Sequence, residues 1–176
     1  IGRDLVRKMD ELGIVLDCTH LTDDAFWEAL ELYNGPVWAS HNNCRALVPA
    51  QRLFSDEQWK ALIDRDGVIG AAFDAWMMHP NWVRGVTDPR AAGVNLARII
   101  EHVDHICQLA GSARHCGIGS DLDGGFGREQ CPYDMESIAD LQKVGDLLAA
   151  RGYSQDDVSA IMHGNWIRRL ETALPE

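Results

Sequence analysis

Apolar residues recur along the chain in two alternating registers, one with the spacing of a helix and one of short unbroken runs. Val6, Met9 and Leu12 stand at helical spacing, Gly13 interrupts them, and Ile14-Val15-Leu16 follows as a short apolar run. Spacings of three and four collect side chains on one helical face, whereas a brief apolar run between turn formers suits a strand buried on both sides. Thr22 caps a second predicted helix that opens with Asp23 and Asp24 and buries Phe26, Trp27, Leu30 and Tyr33. Asn34-Gly35-Pro36 ends it, and Val37-Trp38-Ala39 begins the next strand. Ser55-Asp56-Glu57-Gln58 has the form of a capping box for a helix through Asp64, after which Gly67 leads into an apolar run over residues 68–73. Residues 91–110 keep a helical period through Val94, Ala97, Ile100, Val103 and Ile106, and Gly111 ends it. Cys116-Gly117-Ile118-Gly119 is a fourth strand, weakened by its two glycines. A helix over 135–150 and two short ones, capped by Ser154 and spanning 165–174, complete the pattern.

Strands that alternate with helices over short connections pair in parallel through right-handed crossovers, so the fold class is α/β. Four such units within 176 residues amount to half of a (β/α)8 barrel. The expectation is a single partial domain over 1–176, the C-terminal half of a TIM barrel, preceded by a helix and followed by short helices. An open doubly wound sheet is the alternative, although no Gly-x-Gly-x-x-Gly follows the first strand to support dinucleotide binding. The chain opens with Ile1-Gly2-Arg3-Asp4 rather than Met, from which an upstream portion is expected.

Composition narrows the partners. A formal net charge of −11, with 16 Lys and Arg scattered along the chain, argues against a nucleic-acid backbone. No apolar run approaches the roughly 20 residues needed to span a bilayer, so no membrane span is expected. Five cysteines without a Cys-x-x-Cys pair read as buried thiols of a reducing compartment, which favours the cytoplasm, with localisation of the intact protein open.

Barrel enzymes carry their chemistry where strands end. Here the first strand runs into Asp17-Cys18-Thr19-His20, the second into Ser40-His41-Asn42-Asn43, the third into Asp74, and the fourth into Ser120-Asp121-Leu122-Asp123-Gly124. His20 and His41, on adjacent strand ends about 5 Å apart, can reach one metal ion or can serve as hydrogen-bonded structural residues. Asp121 and Asp123 occupy a glycine-permissive turn that suits either chemistry or an Asx-capped loop. Arg45 and Arg52 follow His41 closely, where a guanidinium can clamp a substrate carboxylate or form a salt bridge. His102 and His105, three apart on a helix, can make a metal pair or mark an exposed or interfacial stripe, while His79 and His115 fit a loop and a strand entry, and His163 a helix end. The stretch 74–90, with Trp76, Met77, Met78 and Trp82, suggests an enlarged loop with an apolar surface.

In ordered combination, residues 14–20, residues 37–46, Val103-Asp104-His105-Ile106, residues 117–124 and Gly164-Asn165 resemble the membrane dipeptidase family, also called renal dipeptidases. The resemblance runs along nearly the whole chain and implies a zinc peptidase on a (β/α)8 barrel that hydrolyses dipeptides. It implies that His20 and His41 bind one of two zinc ions, that Arg52 holds the substrate carboxylate, and that Asp121 contacts the attacked centre and the leaving amine. The family's His-x-Asp pair, bridging glutamate and a further substrate-contacting histidine fall upstream of this region. On that basis the chain supplies part of an active site and depends on a missing N-terminal half, another chain, or a second copy of itself. The alternatives are an inactive remnant kept for binding or assembly, and another metal-dependent amidohydrolase.

Overall fold

A computed structural model describes residues 1–122 and 124–174. Four short strands, β1 (Leu16–Asp17), β2 (Val37–Trp38), β3 (Ile69–Ala71) and β4 (Cys116–Ile118), run parallel in chain order. β1 pairs with β2 and β3 with β4, and a parallel bridge from Ala39 to Ile69 joins the two pairs. Around that bridge the Ala39 amide donates to the Val68 carbonyl at 3.0 Å and the Gly70 amide to the Ala39 carbonyl at 2.8 Å. The ladders are shorter than the apolar runs predict. Val15 and Phe73 lie outside them, and Phe73 is nevertheless wholly buried, because packing rather than pairing sets the apolar pattern.

Helices fill the connections. α1 (Gly2–Leu12) ends at Gly13, whose φ of 68° lets its amide turn back to Met9 and Asp10. Leu12 is left exposed, while Val6 and Met9 pack against the core. α2 (Asp23–Leu32) starts at Thr22, whose hydroxyl accepts from the Ala25 amide, and it buries Phe26 and Ala29; Trp27 lies outside the core, 42% exposed. In α3 (Asp56–Asp64) both bonds of the Ser55–Gln58 capping box are present. α4 (Ala97–Ala110) begins later than its apolar period suggests. The preceding turn is closed by Ala92 on Asp88 and Val94 on Pro89, with Gly93 at a φ of 71°.

The region read as one helix from 135 divides into a 3-10 turn, Ile138–Gln142, and α5 (Lys143–Arg151). Asp140 causes the division by accepting from the amides of Glu136 and Ser137 at 2.6 and 2.9 Å. α6 (Gln155–Ser159) continues through a π-helical turn, Ala160–Gly164, into α7 (Asn165–Ala173). His163 therefore sits within a continuous helical run instead of at an end.

One main core lies between helices and strands. Phe26, Phe54 and Trp59 form its aromatic centre, with ring centroids 5.0 and 5.1 Å apart, against Leu62, Ile69, Ile99 and Val103. Truncating such a ring costs roughly 3–5 kcal/mol. Met77 and Met78 are buried, so the loop after β3 contributes to the interior instead of presenting the apolar surface expected of it. Gly70 and Gly119 flank the carbonyl of Ser40, and a Cβ on either would stand 2.0 or 1.9 Å from that oxygen.

Candidate metal centre at the strand ends

The parallel pairing of Leu16 with Val37 and Asp17 with Trp38 brings the segments after β1 and β2 together. One carboxylate oxygen of Asp17 accepts from the amides of Thr19 at 3.0 Å and Ser40 at 3.1 Å, which ties the two strand ends to each other. The chain then places His20 and His41 face to edge, with ring centroids 5.0 Å apart and Nε2 atoms 3.0 Å apart. In a tetrahedral zinc site with bonds of about 2.0–2.1 Å, two nitrogens stand roughly 3.4 Å apart, so this separation fits one ion after a small adjustment.

Burial lowers the pKa of both imidazoles, with the Arg52 charge adding to the effect and Asp121 opposing it. Both rings are consequently neutral near pH 7, the charge state that binds a metal, and at 3.0 Å one Nε2 carries the hydrogen shared with the other until an ion replaces it. Among the described residues, no third His, Cys, Asp or Glu joins them in a group that could hold an ion. Two imidazoles are donors that zinc accepts.

Arg52 reaches the same place. Its Nη2 lies 3.3 Å from His20 Nε2 and donates to the His41 carbonyl at 3.3 Å, while Nη1 is buried without a partner among the described residues. Burial depresses its pKa, yet a guanidinium remains charged, so a cation stands beside the two imidazoles. Asp121 completes the group, with Oδ1 3.9 Å from His41 Nε2. Four non-glycine residues among those described have positive φ, and two of them are His20 at 71° and Asp121 at 56°. That backbone region is costly for residues with a Cβ, and its use here aims both side chains at one point.

The remaining sequence candidates lie elsewhere. Arg45 is engaged by both oxygens of Asp23, at 3.0 and 2.7 Å, and by the Leu53 and Gln51 carbonyls, so it ties the loop to α2 and is not available to a substrate. His102 is buried instead of forming an exposed stripe, and its Nδ1 accepts from the Cys44 amide at 3.0 Å. His105 pairs with Asp56 at 2.7 Å, and His115 with the Gly67 carbonyl at 3.0 Å. Asp74 is buried under Gln130, which donates to it at 2.8 and 3.0 Å. Asp123 lies outside the described residues. All five cysteines are buried.

Sequence reasoning gave no role to Asp17, Thr19 or Ser40. The available signal was their position beside the two histidines: hydroxyl and carboxylate groups next to imidazoles are the usual means of orienting them.

Among the described residues, no helix is long and apolar enough to cross a membrane. A family model described as membrane dipeptidase, peptidase family M19, matches residues 1–174. The dipeptidase tcpJ of Claviceps purpurea is 33% identical over 172 residues, covering 96% of this chain and 37% of that protein. A Klebsiella pneumoniae protein from the pqqA 5' region is 29% identical over 170 residues, covering 97% of this chain and 59% of its own length. The chain thus spans between about a third and three fifths of these relatives. Among solved structures, the metallo peptidase dipeptidase AC superposes with a TM-score of 0.85 at 27% identity, over 98% of this chain and 48% of that one. A Rhodobacter sphaeroides metallo peptidase, crystallised with a phosphinate mimic of the dipeptide L-Ala-D-Ala, gives 0.80 at 25% identity over 98% and 46%.

Proposed function

Because the chain belongs to the membrane dipeptidase family, we propose that it forms the C-terminal half of a (β/α)8 barrel in a zinc-dependent dipeptidase and supplies part of the active site. The observation that carries this reading is the 3.0 Å approach of His20 Nε2 to His41 Nε2 at neighbouring parallel strand ends. These two imidazoles would hold one zinc ion. Zinc, when bound, would lower the pKa of a water and polarise the scissile carbonyl. Arg52, whose Nη1 lacks a partner among the described residues, binds the free carboxylate of the dipeptide. That contact favours dipeptides over longer chains, and the phosphinate dipeptide mimic on the Rhodobacter protein supports the same substrate class. Asp121, 3.9 Å from His41 Nε2, directs a proton toward the leaving amine nitrogen.

Two imidazoles fall short of the three protein ligands of a catalytic zinc. The other donors come from an N-terminal half of the same barrel, from a separate chain, or from a second copy, and we favour the first. The backbone calls for one of the three: a four-stranded parallel segment of a barrel has two open edges, and each buried unpaired group costs roughly 1–3 kcal/mol.

Residues 1–176 purified alone are expected to associate or aggregate and to hydrolyse no dipeptide. A stable monomer with normal turnover and two bound zinc ions would overturn the proposal. The lack of a third donor among the described residues also favours a second reading, a remnant retained for binding or assembly. Supplying the complementary half separates the two: hydrolysis is restored if the chain is part of an enzyme, and assembly without turnover results if it is not.

A further inference from the structure

We infer that Ser40 is a positioning residue which, with Thr19, presents His41 to the metal in one tautomer. This rests on the zinc reading above and extends it to residues that touch neither metal nor substrate. Ser40 Oγ lies 2.9 Å from His41 Nδ1 and donates to Thr19 Oγ1 at 3.4 Å. A serine hydroxyl has one hydrogen. With that hydrogen on Thr19, the Ser40 lone pair accepts from Nδ1–H, so the proton resides on Nδ1 and the Nε2 lone pair is left to accept from His20 Nε2–H at 3.0 Å without metal and to bind the ion when it is present. The reverse assignment, with Ser40 donating to Nδ1, would put the proton on Nε2, where it would block a ligand position.

The arrangement is anchored below the ring. Thr19 Oγ1 also accepts from the His41 amide at 3.3 Å, and Asp17 accepts from the amides of both Thr19 and Ser40. A carboxylate, two hydroxyls and an imidazole thus form one chain that begins at the β1–β2 pairing and ends at Nε2. Thr19 is buried, which keeps water from replacing these bonds. His20 has no such support: among the described residues its Nδ1 has no hydrogen bond, and its polar ring contacts are through Nε2. The structure assigns His41 as the fixed ligand and His20 as the one that adapts.

The test uses the full-length protein with its complete site. Zinc affinity is measured by chelator competition, the His41 ring tautomer by nitrogen NMR shifts in the zinc-free state, and folding by thermal unfolding of that same state. Ser40→Ala is expected to weaken zinc by about 10–100-fold, to shift His41 from a single Nδ1–H tautomer to a mixture, and to leave zinc-free unfolding unchanged. Ser40→Thr, which keeps the hydroxyl, restores affinity and tautomer, and Thr19→Val gives a smaller effect in the same direction.

Parental zinc affinity and tautomer in Ser40→Ala would overturn the inference, as would a Ser40→Thr protein as impaired as Ser40→Ala. If Ser40→Ala does not fold, Thr19→Val decides on the same two readings. His41→Ala separates this inference from its premise: unchanged zinc affinity there rejects the zinc reading, whereas lost affinity with a normal Ser40→Ala rejects the role of Ser40 alone.

Discussion

The two ends of the four strands are built differently. Where the strands finish, His20 and His41 face each other at 3.0 Å, with Arg52 Nη2 3.3 Å from His20 Nε2 and Asp121 Oδ1 3.9 Å from His41 Nε2. Where they begin, Asp66 takes Arg114 at 3.1 and 3.3 Å and Arg168 at 2.7 Å on one carboxylate, and Asn165 Nδ2 donates to the Ala113 and Cys116 carbonyls, both at 2.7 Å. Polar groups at the first end converge on a point where a ligand can sit, whereas those at the second join helix to strand. Strain and unpaired donors do not by themselves separate the two ends, since Asp66 also holds a positive φ and Arg168 Nε and Arg169 Nε also lack partners among the described residues; what separates them is that only the first set converges on one point.

Substitutions at the two ends should fail in different ways. The largest expected effect is from His41→Ala in the protein carrying the complete site. Losing metal-borne charge stabilisation of several kcal/mol lowers kcat/KM roughly 10³-fold, while the folded fraction is preserved. Steady-state kinetics beside thermal unfolding would show this, and a drop in Tm with modest loss of activity would erase the contrast between the ends.

Arg52→Ala and Arg45→Ala then sharpen it within a single loop. Removing a charge-assisted carboxylate contact of about 1.5–3 kcal/mol should raise KM roughly 10–100-fold for Arg52→Ala. Arg45→Ala should lower Tm and leave KM near its parent value, because Arg45 is committed to Asp23. Asp121→Asn should act mainly on kcat, and if both Arg52→Ala and Asp121→Asn lower kcat alone, Arg52 does not bind substrate.

At the opposite end, Asn165→Ala strands two buried carbonyls and should cost about 2–4 kcal/mol by denaturant unfolding. The folded fraction should keep its specific activity; a selective loss of turnover would show that the two ends are coupled.

The smallest effect concerns pH. Burial, reinforced by His105 and Arg98, lowers the pKa of His102 to about 3. An unfolded histidine titrates near 6.5, so below that pH the unfolded state takes up a proton that the folded state refuses. Stability is fully present above the unfolded value and declines as pH falls toward about 3, with about 1 kcal/mol lost by roughly pH 5.5. His102→Gln should flatten that part of the stability profile, and an unchanged slope would assign acid sensitivity to other groups.

Much of this arrangement was legible in the sequence wherever a local rule governed it. The Ser55 capping box, the Thr22 cap and the stop at Gly13 depend on neighbours within a few residues, and each appears where the spacing put it. The approach of His20 to His41 followed from parallel strands with histidines just past their ends. What escaped depended on contacts distant in sequence. The start of α4 is set in part by Asp134, which accepts from the Leu96 amide at 2.8 Å across 38 positions. Burial of His102 is tied to Cys44, 58 positions away. Arg45 and Arg52 are equivalent in sequence, and only the fold shows that Asp23 is within reach of one of them. The hydroxyl chain under His41 needed the register of β1 against β2, which no periodicity specifies.

Gly70 and Gly119 have a consequence for how freely this chain can vary. A saturation library selected for folded protein should return almost nothing but glycine at these two positions, since even a methyl group would enter the Ser40 carbonyl. Gly2 and Gly145 should accept many residues, because a Cβ there meets open space or ordinary contact distance. Two points of zero tolerance next to the serine behind His41 mean that drift cannot widen this rim by small steps. Change there has to arrive as a coordinated replacement across three strands, so this corner of the molecule should be among the slowest to diverge.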